Sequence, residues 1–440
     1  MNSGGDVVQL SNGLTVGCVV LPAHPLEEAG DGVDVEPCPF PPDCRDLRGG
    51  HKYPVSDEGH VFSPKTTKPP PLGRGLRSGH AGPRSGRDHD SLGTGTSDPD
   101  WQSGVSLSLS VLDQSPVPEG TTPGDALRNT IDLARRCETM GYHRYWVAEH
   151  HGMTGLAGSS PEVLIGSIAG VTRRLRVGSG GVMLTHYAPL KVAESFCVLA
   201  SLHPGRIDLG VGRAPGSDHL TAAALARGGA RTPLEYYPNQ LEELVHLLDD
   251  TLPANSPIQG VRATPRPERP LEVWLLASSS DSAAYATHFG LPLAWADFIA
   301  QVDGAPIVDA YRRQFQPSDR CPEPRVLLCA SAVVADTDDE AKALVAAVQA
   351  WRASGLRGPI PAAPEGSTSR PVPIQPGRRS VAHGSPTRVA DRLRQLVDGF
   401  GAEELMVVTI CHDHEARVHS YELLAAEFGL PTGTEQVLDE

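Results

Sequence analysis

The 440-residue sequence predicts an α/β chain whose strands close into a (β/α)8 barrel over residues 105–440, behind an N-terminal extension of residues 1–104 that does not fold with it. Three observations carry this expectation. Composition changes sharply near Trp101. Beyond that point short, β-rich apolar runs alternate with amphipathic helical segments. Several runs, VWLLA and LMVV among them, are apolar on successive residues, as in strands covered by protein on both faces. An open doubly wound sheet also satisfies this pattern, but eight repeats ending on a strand and a helix favour the barrel.

From about Glu36 to Asp100 the chain is thick with Pro, Gly, His, Ser and Arg and has no periodic apolar spacing. Such a stretch buries too little apolar surface to offset its ordering entropy, so residues 1–104 are expected to be low-complexity and disordered. Val16 to Leu21 would make one short strand, too little for a domain. The extension reads as a tail in preference to a partner-docking arm, for which only the basic, histidine-rich stretch from Lys65 to Asp90 speaks.

The expected strands are Leu107 to Leu112, Arg144 to Ala148, Leu175 to Leu184, Arg206 to Val211, Glu272 to Ala277, Leu291 to Trp295, Arg325 to Val334 and Glu404 to Ile410. Helix signals fall between them. Thr122 and Pro123 form an N-cap and first-turn pair, Leu127, Ile131 and Ala134 share one face, and Gly141 supplies the stop. Ser385 and Pro386 open a segment whose Val389, Leu393, Leu396, Val397 and Phe400 form one stripe, closed by Gly401.

The formal charge of −15 and the lack of a dominant basic cluster in the folded part argue against nucleic acid and anionic membranes as partners. No apolar run reaches the roughly 18 residues of a membrane span, and the N-terminus lacks a signal-peptide pattern, so the protein is expected in the cytoplasm. The eight cysteines, scattered without CxxC spacing, read as reduced packing residues rather than a zinc or disulfide framework. No metal site is expected.

In a barrel of this kind reacting groups come from the C-terminal ends of the strands. Ser278, Ser279 and Ser282 follow the fifth strand and precede a helix expected at Ala283 to His288, where free backbone N–H groups and the helix dipole attract an anion. Arg213, at the end of the fourth strand, would add a charge-assisted bond to the same anion. Gly178, Gly180, Gly181, Gly210 and Gly212 strip side chains from two strand ends and leave room for a planar ring system. Adjacent His150 and His151 point to opposite sides of a strand end, so one of them at most faces the cavity, where it would move protons near neutral pH. His412, Asp413 and His414 lack further ligands for a metal. Patterns for a GxGxxG dinucleotide site, a Walker A loop and a GxSxG elbow are absent from these positions.

The run EHHG at Glu149 to Gly152, RLRVGSGGVMLTHYAPLKVAE from Arg174 to Glu194 and HPGRIDLGVGRAPG from His203 to Gly216 resemble the bacterial luciferase-like flavin monooxygenases. VWLLASSSDSAAYATHFGLP from Val273 and the segment from Gly384 to Ala425 extend the resemblance, which covers about Val105 to Leu430 in order. The SVLDQSPV-like first strand and GRIDLGVGRAPG are similar to the branch often found in bacterial natural-product clusters.

The resemblance implies a luciferase-like TIM barrel and reduced FMN (FMNH2) supplied by a separate flavin reductase. It also implies capture of O2 as a flavin C4a-peroxide that oxidises a small organic substrate. Position by position, His150 matches the histidine acting as acid or base and His151 its neighbour, while Gly180 and Gly181 match a pair joined by a cis peptide beneath the flavin. Arg213, Ser279 and Ser282 match phosphate contacts, Ser278 stands where bacterial luciferase has a carboxylate, and Gly212 stands where it has a cysteine. Relatives commonly pair as dimers through barrel-face helices. Trp351 to Ser380 occupies the place of a mobile loop and is expected to act as a lid. Met153, Tyr187, Trp295 and Phe298 are candidate substrate contacts. Two alternatives stay open on the same barrel: a deazaflavin-dependent oxidoreductase and a non-catalytic flavin-binding protein.

Overall fold

The structure is a computed structural model that describes residues 107–214, 218–226, 234–356, 358–362 and 381–431. The expected extension lies outside these residues, as do 357 and 363–380 of the expected lid.

Ten strands are described: β1 (Ser108–Asp113), β2 (Arg144–Val147), β3 (Arg176–Ser179), β4 (Val182–Met183), β5 (Ile207–Gly212), β6 (Glu272–Ala277), β7 (Leu293–Ala296), β8 (Val326–Val334), β9 (Ala382–Gly384) and β10 (Glu404–Val408). The order β10-β1-β2-β3-β5-β6-β7-β8 closes through a parallel β8–β10 pairing, giving an eight-stranded barrel. Each of the eight predicted runs supplies one staff of it. The run from Leu175 to Leu184 is split by a cis Gly180–Gly181 peptide into β3 and β4, and β4 pairs with β5. The short β9, which was not expected, pairs with Ala332–Val334 at the far end of β8.

The helices are α1 (Pro123–Thr139), α2 (Pro161–Val171), α3 (Pro189–Leu202), α4 (His219–Leu225), α5 (Tyr237–Asp249), α6 (Ser280–Phe289), α7 (Ala305–Gln314), α8 (Asp338–Ala353), α9 (Pro386–Phe400) and α10 (His414–Glu427). Their ends follow the sequence signals. Thr122 caps α1 through a reciprocal capping box with Asp125, and Gly401 ends α9 with φ 55°, a left-handed turn that glycine adopts without penalty.

Side chains alternate between two cores. On β1, Leu109 and Val111 face the helices while Leu112 points into the barrel; on β10, Leu405 and Val407 face out and Met406 and Val408 face in. The interior at the strand beginnings is ionic instead of apolar. Arg144, at the start of β2 and 1% exposed, binds Asp208 at 2.8 Å and Glu404 at 2.6 Å. Arg176 pairs with Asp208, Arg325 reaches Glu272 at 3.4 Å, and the indoles of Trp146 and Trp274 donate to Asp208 and Glu272. Three guanidiniums thus meet three carboxylates at the N-terminal end, and the buried members Arg144, Asp208 and Glu404 are kept there by pairing.

Candidate active site

A cavity of about 450 Å³ opens at the C-terminal ends of the strands, lined by residues of β1, β2, β5, β6, β7, β8 and β10 and the loops that follow them. Its deeper wall is apolar, made by Leu112, Trp146, Leu327 and Met406 among others. Polar groups sit around the mouth.

His150, Gly180, Gly181, Gly212, Arg213, Ser278, Ser279 and Ser282 all line this one cavity. Ser279 is the N-cap of α6, which begins three residues earlier than expected, and its side chain makes no bond to the first helical turn. The first N–H groups of α6 therefore lack an intrahelical or capping partner and remain available to an anion. Ser282, 7% exposed, lies in that first turn. Arg213 reaches the same turn from the end of β5, with Nη1 3.2 Å from Asp281 Oδ2.

The glycines differ in what they permit. A Cβ on Gly181 would stand 2.7 Å from the carbonyl oxygen of Gly210, so backbone packing requires glycine there. A Cβ on Gly212 would meet nothing within 4 Å, so that position borders open cavity.

The two histidines part as strand alternation requires. His150 lines the cavity, its backbone N–H bonds Gly158 O at 2.8 Å, and its buried Nδ1 has no hydrogen-bond partner. Burial, and then the neighbouring His151, push its imidazole down to about 4, so the neutral form prevails at pH 7. His151, also named as a catalytic candidate, is outside the cavity lining and its Nε2 lies 2.7 Å from Glu149 Oε1, so of the adjacent pair His150 is the one that lines the cavity.

Of the candidate substrate contacts, Phe298 alone lines the cavity. Trp295 is fully buried in the outer core, where it packs toward Phe400; its strand turns that face away from the barrel axis. Tyr187 is bound to Glu149, and Met153 packs against the inner core.

Sequence reasoning passed over Glu149, Gln114 and Cys329, which also line the cavity. Gln114 and Glu149 follow the ends of β1 and β2, so position alone was the available signal for them, while Cys329 lies inside β8. Burial, and then Asp297, hold the Cys329 thiol protonated, which removes it as a nucleophile. Cys137, Cys197, Cys321, Cys329 and Cys411 are buried and free. His412, Asp413 and His414 diverge: His412 meets Glu119 O, Asp413 caps α10 and His414 meets Asp132.

Arg213, the start of α6, a glycine-lined wall and a buried imidazole meet at one mouth of an α/β barrel. A family model described as luciferase-like monooxygenase matches residues 107–403. The chain belongs to that family. YwcH of Bacillus subtilis (strain 168) is 42% identical over 331 residues, covering 73% of this chain and 99% of that one. The luciferase-like monooxygenase of Escherichia coli (strain K12) is 38% identical over 325 residues, 72% of this chain and 96% of that one. Among solved structures, apo-MsnO8 is 39% identical with a TM-score of 0.68, covering 74% of this chain and 99% of that one. Among the described residues, no helix is long and apolar enough to cross a membrane.

Proposed function

We propose that this protein is a flavin-dependent monooxygenase that takes FMNH2 and O2 and oxidises a small organic substrate. The observation that carries this reading is convergence: an arginine, the uncapped start of α6 and a side-chain-free glycine wall line one cavity together with the His150 imidazole. The residues fit a flavin mononucleotide. Arg213, Ser278, Ser279, Ser282 and the α6 amides would hold the phosphate, and Gly180, Gly181 and Gly212 would admit the ring system.

When bound, the reduced flavin supplies the two electrons that allow O2 to give one oxygen atom to the substrate and the other to water. The protein's own part is to orient, to exclude water and to move protons. Among the described residues no group bonds Nδ1 of His150, so its neutral ring is free to take or return a proton there. The apolar inner wall keeps the reacting end of the cavity in a low-dielectric setting. Supply of FMNH2 by a separate reductase, pairing of two copies and a cytoplasmic setting belong to the same proposal.

Anaerobic titration with FMNH2 and with a reduced deazaflavin, followed by mixing with air, tests the reading. FMNH2 should bind in preference and react with O2 in a protein-dependent phase. Binding of the deazaflavin alone would make the protein a hydride-transferring oxidoreductase. Tight binding of oxidised FMN without any turnover would make it a flavin-binding protein.

A further inference from the structure

Glu149 is a fully buried acid at the cavity wall. Its side chain is fully buried at the end of β2, yet among the described residues no lysine or arginine pairs with it. Its carboxylate is instead held by three hydrogen-bond partners. Oε2 accepts the backbone N–H of Met183 at 3.0 Å, and Oε1 accepts the Tyr187 hydroxyl at 2.7 Å and Nε2 of His151 at 2.7 Å. Tyr187 is a committed donor, because burial and then Glu149 keep its phenol protonated well above the ordinary range.

These partners share one property. Met183 closes β4, two residues after Gly181, and Tyr187 ends the short 3-10 turn Leu184–His186 that follows. A carboxylate buried at such cost is kept by its bonds, and these bonds all run to the chain leaving the glycine pair or to the histidine next to His150.

We propose that Glu149 is a positioning residue, which clamps the segment after Gly180–Gly181 against the end of β2 and thereby sets the glycine wall of the cavity. The role of that wall toward a flavin rests on the function proposed above; the clamp itself does not. Glu149 itself lines the cavity, but its hydrogen bonds run to Met183, Tyr187 and His151, so the role assigned to it is to set geometry.

Hydrogen exchange of the flavin-free protein tests the clamp directly. In Glu149→Ala, exchange of the Met183 amide should speed up at least about tenfold, the cost of losing a bond to a charged acceptor, while amides of β10 keep their protection. Glu149→Gln keeps one carbonyl oxygen for that amide and should recover most of the protection. FMN binding, followed by quenching of flavin fluorescence well below each variant's Tm, should weaken about tenfold in Glu149→Ala and much less in Glu149→Gln. Should Glu149→Ala not fold, Tyr187→Phe removes a single hydroxyl from the clamp and should raise exchange at Met183 about threefold. Unchanged exchange at Met183 in whichever of these variants folds would overturn the clamp. Normal loss of protection with no FMN binding by the unaltered protein would overturn the flavin reading and leave the clamp standing.

Discussion

Arg213 and Asp281 form an ion pair, Nη1 to Oδ2 at 3.2 Å, that joins the end of β5 to the first turn of α6. Asp281 is mostly exposed, and such pairs contribute roughly 0–1 kcal/mol, so a phosphate arriving at the α6 start can displace it cheaply. The carboxylate and the phosphate then compete for one guanidinium. Asp281→Asn should tighten FMN binding up to about fivefold, in keeping with that small pair energy. Arg213→Ala should weaken it by about ten- to a hundredfold and erase much of the preference for FMN over riboflavin. Equal riboflavin discrimination in Arg213→Ala and the parent, measured by fluorescence titration, would place the phosphate elsewhere.

The glycine wall makes a prediction that separates fold from site. Gly212 borders open cavity, so Gly212→Ala should leave Tm nearly unchanged while weakening FMN binding. Gly181→Ala forces a Cβ to 2.7 Å from Gly210 O and should lower Tm as well, because backbone cannot swing aside as a side-chain end can. Paired thermal melts and FMN titrations of the two variants give the comparison. A Gly212→Ala protein that binds FMN as the parent does would show that the ring system lies away from β5.

His150 should titrate far below an ordinary histidine. Burial and then His151 depress it to about 4 from 6.5. The sign follows from linkage: above about pH 6.5 both folded and unfolded chains hold the imidazole neutral, and below it only the unfolded chain gains the proton. Stability therefore falls as pH drops from about 6.5 toward 4, and the fall levels off once the folded form also protonates. Imidazole NMR of the flavin-free protein should give a midpoint near 4, and His150→Asn should slow turnover by about 10²–10⁴-fold. A midpoint near 6.5 would mean a ring open to water and would remove His150 from the protected end of the cavity.

The barrel was legible because each parallel staff is buried on two faces and so writes itself as a short apolar run. That Arg213, Ser278, Ser279 and Ser282 share one cavity was legible for a related reason: in a barrel the groups at the strand ends converge on one mouth. Strand alternation likewise separated His150 from His151 before any coordinates. What escaped depends on distant partners. The cis peptide at Gly180–Gly181 was expected from the resemblance alone, whereas β9, the sequence Ala-His-Gly, is a strand only because β8 extends far enough to pair with it. Glu149 meets Met183 and Tyr187 at separations of 34 and 38 residues, and Arg144 meets Glu404 at 260, distances over which no local pattern operates.

The ionic floor gives the last prediction, and its pH dependence has a definite sign. Burial alone would raise the Glu272 carboxyl, but Arg144, Arg176 and Arg325 outweigh it and hold it at about 2 instead of 4.5. A carboxylate depressed in this way stabilises the fold in full above about pH 4.5, and that contribution erodes as pH falls toward 2. Glu272→Gln should therefore be less stable than the parent at pH 6, with the two stabilities converging as pH falls from about 4.5 toward 2 in urea unfolding. Arg144→Met strips Asp208 and Glu404 of a shared cation in a site that is 1% exposed, which should cost about 3–5 kcal/mol at pH 6. If the Glu272→Gln and parent stabilities stayed parallel from pH 6 to pH 3, Glu272 would be a solvated acid that takes no part in the ionic network at the strand beginnings.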